Sequence, residues 1–153
     1  MIDIYNTQDI FNRQSGSGFA YTLLLSVDEQ AAFAWIKANT ASNAVFQWDA
    51  WERGVEGWAN MAAFAERRLA VGLPISMVPL HKYEEGSRRS AWLFETTSAE
   101  GAHEFAVRNG IQYVYLGGPE RRRHPDAQPR FEGAPALFDP VFRNSEIAIF
   151  RVK

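Results

Sequence analysis

Gly110-Ile111-Gln112-Tyr113-Val114-Tyr115-Leu116-Gly117-Gly118 sets a run of β-branched and aromatic residues between turn signals, and the fold class turns on it. Just before it, Ala99–Asn109 has helical spacing, with Thr97 and Glu100 placed as a capping box and Gly110 as the stop. A helix feeding a short apolar strand is half of a βαβ unit. Working outward, the same pattern returns. Ser26 with Glu29 forms a capping box opening a helix over Val27–Asn39, with Trp35 and Ile36 on its core face. The run Ala44-Val45-Phe46-Gln47-Trp48 then reads as a buried strand.

Gly57–Arg68 carries Trp58, Met61, Phe64 and Ala65 on one helical face, and Leu69–Gly72 reads as a second short buried strand ended by Pro74. After a connection over 75–81, Lys82–Glu95 is a helix weakened by Gly86. The stretch from Gly117 to Pro135, charged and rich in Pro and Gly, reads as a long loop. The runs Leu137–Arg143 and Glu146–Val152 alternate around Asn144-Ser145 as a hairpin. Residues 1–25 form a loosely ordered lead-in around Gly16-Ser17-Gly18. The whole predicts one α/β domain over 1–153: a Rossmann-like three-layer fold with a short, mostly parallel sheet and a C-terminal antiparallel hairpin.

Bulk composition narrows the function classes. A chain of 153 residues, 46% apolar and 22% charged, can bury a core without covalent staples. A net charge of −2 supplies no general attraction for nucleic acid, which is not expected as a partner. The absence of cysteine removes disulfides, thiolate–metal sites and cysteine nucleophiles. His81, His103 and His124 share no ligand spacing, so no metal site is predicted. Neither Gly16-Ser17-Gly18 nor Gly117-Gly118-Pro119 completes a phosphate-binding or dinucleotide fingerprint, no nucleophile elbow is present, and no cofactor is expected. The N-terminus lacks the basic start and apolar stretch of a signal peptide, and no apolar run reaches the ~20 residues that span a bilayer.

One loop stands out. Asp49-Ala50-Trp51-Glu52-Arg53 follows directly on a predicted parallel strand, at the edge where open α/β sheets hold ligands. Trp51 and Arg53 suit a sugar or phosphate by stacking and paired hydrogen bonds, and Asp49 with Glu52 suits an acid–base pair of a small hydrolase. The bland alternative is a packed Trp51 among solvated charges. Three basic clusters stand out, Arg67-Arg68, Arg88-Arg89 and Arg121-Arg122-Arg123 ahead of His124; the last is a candidate for phosphate, lipid headgroup or partner contact, against a reading as solvated or ion-paired surface. Asp49, Trp51, Glu52, Arg53, Arg67 and Arg68 are the candidate ligand-binding residues; no catalytic residue is assigned.

Several segments, in order, resemble the C-terminal soluble region of polytopic bacterial membrane glycosyltransferases, the lipid-phosphate-sugar-dependent type related to protein mannosyltransferases and oligosaccharyltransferases. They are Trp35-Ile36 with Asn39-Thr40 and Ala44-Val45-Phe46; Phe64 through Arg67-Arg68 to Gly72-Leu73-Pro74; Gly110–Leu116 with Glu120-Arg121; and Val141–Asn144 with Ile147–Val152. The resemblance implies an extracytoplasmic, periplasmic domain standing on membrane helices, with the catalytic acid in the membrane part and none carried here. Its expected partners are that membrane-embedded portion and a glycan or lipid-linked sugar. A chain complete in itself would instead be cytoplasmic, a free-standing Rossmann-like module for a small sugar or phosphorylated ligand, with a pocket near Asp49 and Gly117.

Overall fold

Strand β1 (Val45–Gln47) lies beside β2 (Arg68–Leu69) on one side and β3 (Tyr113–Leu116) on the other, parallel to both. The computed structural model describes residues 25–53, 60–72 and 79–153. The sheet continues with β5 (Ala148–Val152), antiparallel to β3, and ends with β4 (Phe138–Arg143), giving the order β2-β1-β3-β5-β4. The terminal hairpin is as read from the sequence. Parallel and antiparallel pairings are evenly divided, however, so the sheet is parallel at one end and antiparallel at the other. The reason is local: the last strand enters next to β3, where a two-stranded hairpin can pair without a crossover.

Helices cover both faces, as side chains alternate along each strand. Tyr115 and Ile149 face α1 (Val27–Asn39) and α3 (Asn60–Ala65), which contribute Ala32, Phe33, Ile36, Met61 and Ala65 to one core. Val114, Leu116 and Phe150 face α4 (Leu80–Glu95), α5 (Ala99–Arg108) and α7 (Ala127–Glu132), meeting Leu93, Phe94, Ala102, Ala106 and Phe131 in the second core. The remaining short helices, α2 (Ala50–Arg53) and α6 (Gly118–Arg123), leave the C-terminal ends of β1 and β3.

Local signals act as their chemistry demands. At the start of α1, Ser26 Oγ accepts from Glu29 N at 3.1 Å and Ser26 N donates to Glu29 Oε2 at 3.2 Å, the full capping box. Ile36 is buried, and Trp35 packs at the sheet margin against Phe142, ring centroids 5.4 Å apart. Gly110 ends α5 with φ +66°: its N–H donates to Val107 O and Ile111 N to Ala106 O, closing a Schellman motif.

Other expectations are corrected. The cap of α5 is Ser98, whose Oγ accepts from Gly101 N, rather than Thr97. Met61 and Ala65 are buried on α3 as expected, but Phe64 is exposed and the helix stops at Ala65. The strand read at Leu69–Gly72 is the two-residue edge strand β2; Arg68 is exposed and Leu69 half-buried, and among the described residues no strand pairs beyond it. Gln47 closes that edge instead, its buried amide donating to Val71 O at 3.1 Å and accepting from Val71 N at 2.9 Å. The supposed loop from Gly117 onward contains α6 and α7, anchored by buried Glu120, Ala127 and Phe131. Asp49–Arg53 is likewise a turn of helix capped by Asp49. The lead-in through residue 24, Gly54, Trp58 and Pro74 lie outside the described residues.

Candidate functional site

The C-terminal ends of β1 and β3 are neighbours, through the register Phe46↔Tyr113 and Gln47↔Val114, so residues leaving the two strands meet. Asp49 leaves β1. Its Oδ1 accepts from Trp51 N at 2.9 Å and Glu52 N at 3.1 Å, which caps α2. Its Oδ2 lies 2.6 Å from His124 Nε2, and an ionised carboxylate can only accept, so the ring donates. From β3 the chain passes Gly117 into α6, where Glu120 turns back under the strand ends. Glu120 Oε1 accepts from Arg53 Nε at 2.6 Å and Asp49 N at 3.2 Å; Oε2 accepts from Arg53 Nη2 at 2.7 Å and Gly117 N at 2.9 Å.

This network is closed. Glu120 and Asp49 are fully buried, and the side chains of Arg53 and His124 are each 6% exposed. The Arg53 guanidinium lies 4.5 Å from the Trp48 ring centroid and 5.2 Å from that of Tyr115. Burial on its own would depress the Arg53 pKa, but the charge and hydrogen bonds of Glu120 outweigh it and hold the group above its ordinary value. Burial also pushes the Tyr115 hydroxyl well above the usual phenol range, only partly countered by Arg53. Gly117 is required by space rather than by backbone angle, since a Cβ there would lie 2.7 Å from Arg53 Nη2.

The six candidate residues therefore divide. Asp49 and Arg53 join the network, where the paired hydrogen bonds foreseen for a ligand go to Glu120. Trp51 is 38% exposed and carries the Arg88 guanidinium, from α4, 4.1 Å above its ring. Glu52 keeps an exposed side chain and meets Asp49 only through its backbone N–H, so the two carboxylates form no acid–base pair. Arg67 and Arg68 lie at the opposite end of the sheet, where Arg68 is in register with Val45. Arg67 is 6% exposed and all five of its N–H groups are engaged, to Thr40 Oγ1 and the carbonyls of Ala65, Glu66, Lys37 and Thr40. Arg68 is exposed and donates to Asn43 O.

Glu120 and His124 were not singled out from the sequence as site residues. The available signal was Glu120 three positions after Gly117, a helix-opening spacing at the end of a strand. The pocket foreseen at Asp49 and Gly117 is filled by Arg53 and Glu120. A cleft opens one layer further out, between the end of α4 and the α6–α7 link, with His124 in its wall. Among the described residues, no three His, Cys, Asp or Glu side chains gather as a metal site, and no helix is long and apolar enough to cross a membrane.

The fold is a mixed α/β domain with a buried polar cluster at the C-terminal ends of β1 and β3. In sequence the chain matches no family model and no curated protein. In structure it is similar to the C-terminal globular domain of oligosaccharyltransferase from Archaeoglobus fulgidus: TM-score 0.58 and 16% identity, covering 86% of this chain and 100% of that one. At that identity the likeness is one of fold.

Proposed function

We propose that the chain is a non-catalytic accessory domain of a membrane glycosyltransferase-like protein, standing on its extracytoplasmic face and helping to position donor or acceptor. The observation that carries the reading is the shared fold with an oligosaccharyltransferase C-terminal globular domain over that domain's full length. The closed joint supports it. Asp49, Arg53, Glu120 and His124 are consumed in holding α2 and α6 on the strand ends, which leaves no pair of free groups poised for proton transfer there. What the joint presents outward is Trp51 with Arg88, an aromatic–cation pair suited to a sugar ring or an anionic partner surface.

The test is sugar transfer from a lipid-linked donor in membranes of the source cell, with residues 25–153 deleted from the gene or carrying Trp51→Ala. The expected result is loss of transfer on deletion, a severalfold reduction with Trp51→Ala, and no transfer by the purified domain. Undiminished transfer after the deletion would remove the proposal.

A further inference from the structure

The cleft beside His124 has a volume of about 540 Å³, within the range of small-molecule sites. Phe94, in the last turn of α4, stacks on His124 with ring centroids 5.7 Å apart, and Thr97, Arg123, Asp126 and Arg130 complete the polar lining. Among the described residues, two of these side chains have donors without acceptors. Arg130 donates through Nη2 to the carbonyls of Leu93 and Phe94, which closes the last turn of α4, but its Nε is buried with no partner. Arg123 is exposed at the mouth and has no hydrogen-bond partner among the described residues. His124 commits Nε2 to Asp49, which leaves Nδ1 as its remaining ring nitrogen.

Polarity decides the ligand class. A buried N–H is satisfied only by an acceptor, so a cation in the cleft would leave Arg130 Nε as it is. The carboxylates in the lining, Glu95 and Asp126, are both exposed, where water screens them. Arg130 and Arg123 thus bring two guanidinium groups to the lining, whose planar donors match an oxyanion. Burial also depresses the Arg130 pKa, with the charge of Asp126 opposing.

We propose that this cleft binds a small molecule through an oxyanion, a phosphate or carboxylate, held by Arg130 and Arg123, with His124 in its wall and Phe94 as its apolar side. The proposal is independent of the accessory-domain reading, since it needs neither a membrane partner nor the Trp51 surface.

The experiment is an NMR titration of the ¹⁵N-labelled 153-residue chain with inorganic phosphate, with acetate and with glucose, at constant ionic strength in chloride. The expected result is saturable shifts of the amides of residues 94–97 and 123–130 with phosphate or acetate and none with glucose; the stronger of the two anions identifies the group. Arg123→Gln and Arg130→Gln each weaken binding about tenfold or more, the worth of one charged hydrogen bond, while Arg143→Gln on β4 leaves it unchanged. If Arg130→Gln unfolds the chain by freeing the α4 carbonyls, Arg123→Gln carries the test alone. Sedimentation with phosphatidic acid vesicles, blocked or not by free phosphate, separates a lipid headgroup from a soluble ligand. Linear shifts without saturation, shifts centred elsewhere, or full affinity in Arg123→Gln would overturn the proposal.

Discussion

The two ends of the parallel half of the sheet are each closed by a buried arginine, and the two arginines work differently. Arg67, at the N-terminal end, meets no carboxylate among the described residues. Its five donors go to Thr40 Oγ1 and to carbonyls at the ends of α1 and α3, so one fork satisfies acceptors that two helix C-termini leave open. Arg53, at the C-terminal end, gives its fork to Glu120 and its faces to Trp48 and Tyr115. One residue type serves as a hydrogen-bond hub at one end and as half of a neutralised charge pair at the other. The comparison predicts that the first depends on donor geometry and the second on charge balance.

The largest expected effect is at the charge pair. Glu120→Gln leaves the Arg53 charge buried without a counter-ion, and the stability read from urea unfolding should fall by about 3–5 kcal/mol. At the other end, Arg67→Lys keeps the charge but not the planar fork, stranding several carbonyls; a loss of about 2–3 kcal/mol is expected. A cost near that of an ordinary surface change would break the comparison. Gly117→Ala sharpens it: the added Cβ presses on Arg53 Nη2 and should cost about 1–2 kcal/mol, but less in an Arg53→Ala background, where the nearest of its three close contacts is gone and those to Tyr115 and Ile147 remain.

The smallest effect lies near the hub, on the surface. A hydrogen bond from Lys37, reinforced by its charge, lowers the Glu66 pKa. A depressed carboxylate pKa means that the unfolded chain binds the proton more readily. The contribution is therefore present above the ordinary carboxylate range and lost as the pH falls through the folded value. Glu66→Ala should thus be slightly less stable than the parent near neutrality, and the difference should vanish once the pH has fallen below the carboxylate range, in paired thermal melts.

The sequence disclosed what is decided within one or two helical turns. Ser26 and Glu29 sit three residues apart and cap each other, and Gly110 supplies its own left-handed turn, so α1 and the end of α5 were legible. The helices α6 and α7, of six residues each, are too short to show a period. They are held by contacts that sequence spacing does not reveal, Glu120 to Arg53 across 67 positions and Phe131 packed with tilted rings against Phe138 and Phe150. The same limit governed the site. Asp49 and Arg53 stood out because they follow a strand, but their partners Glu120 and His124 arrive from a region read as loop. Arg67 and Arg68 look alike in sequence, and only the fold makes one a buried hub and the other an exposed edge residue.

The central claim is that the polar cluster at the strand ends is a structural joint rather than a strained reactive site. A double-mutant cycle of Arg53→Met and Glu120→Leu, followed by urea unfolding, tests it most directly. The account predicts that each single change is strongly destabilising and that the double variant recovers most of the loss, a coupling of about 2–3 kcal/mol. Additive losses, or a single variant more stable than the parent as when a strained functional site is relieved, would contradict it.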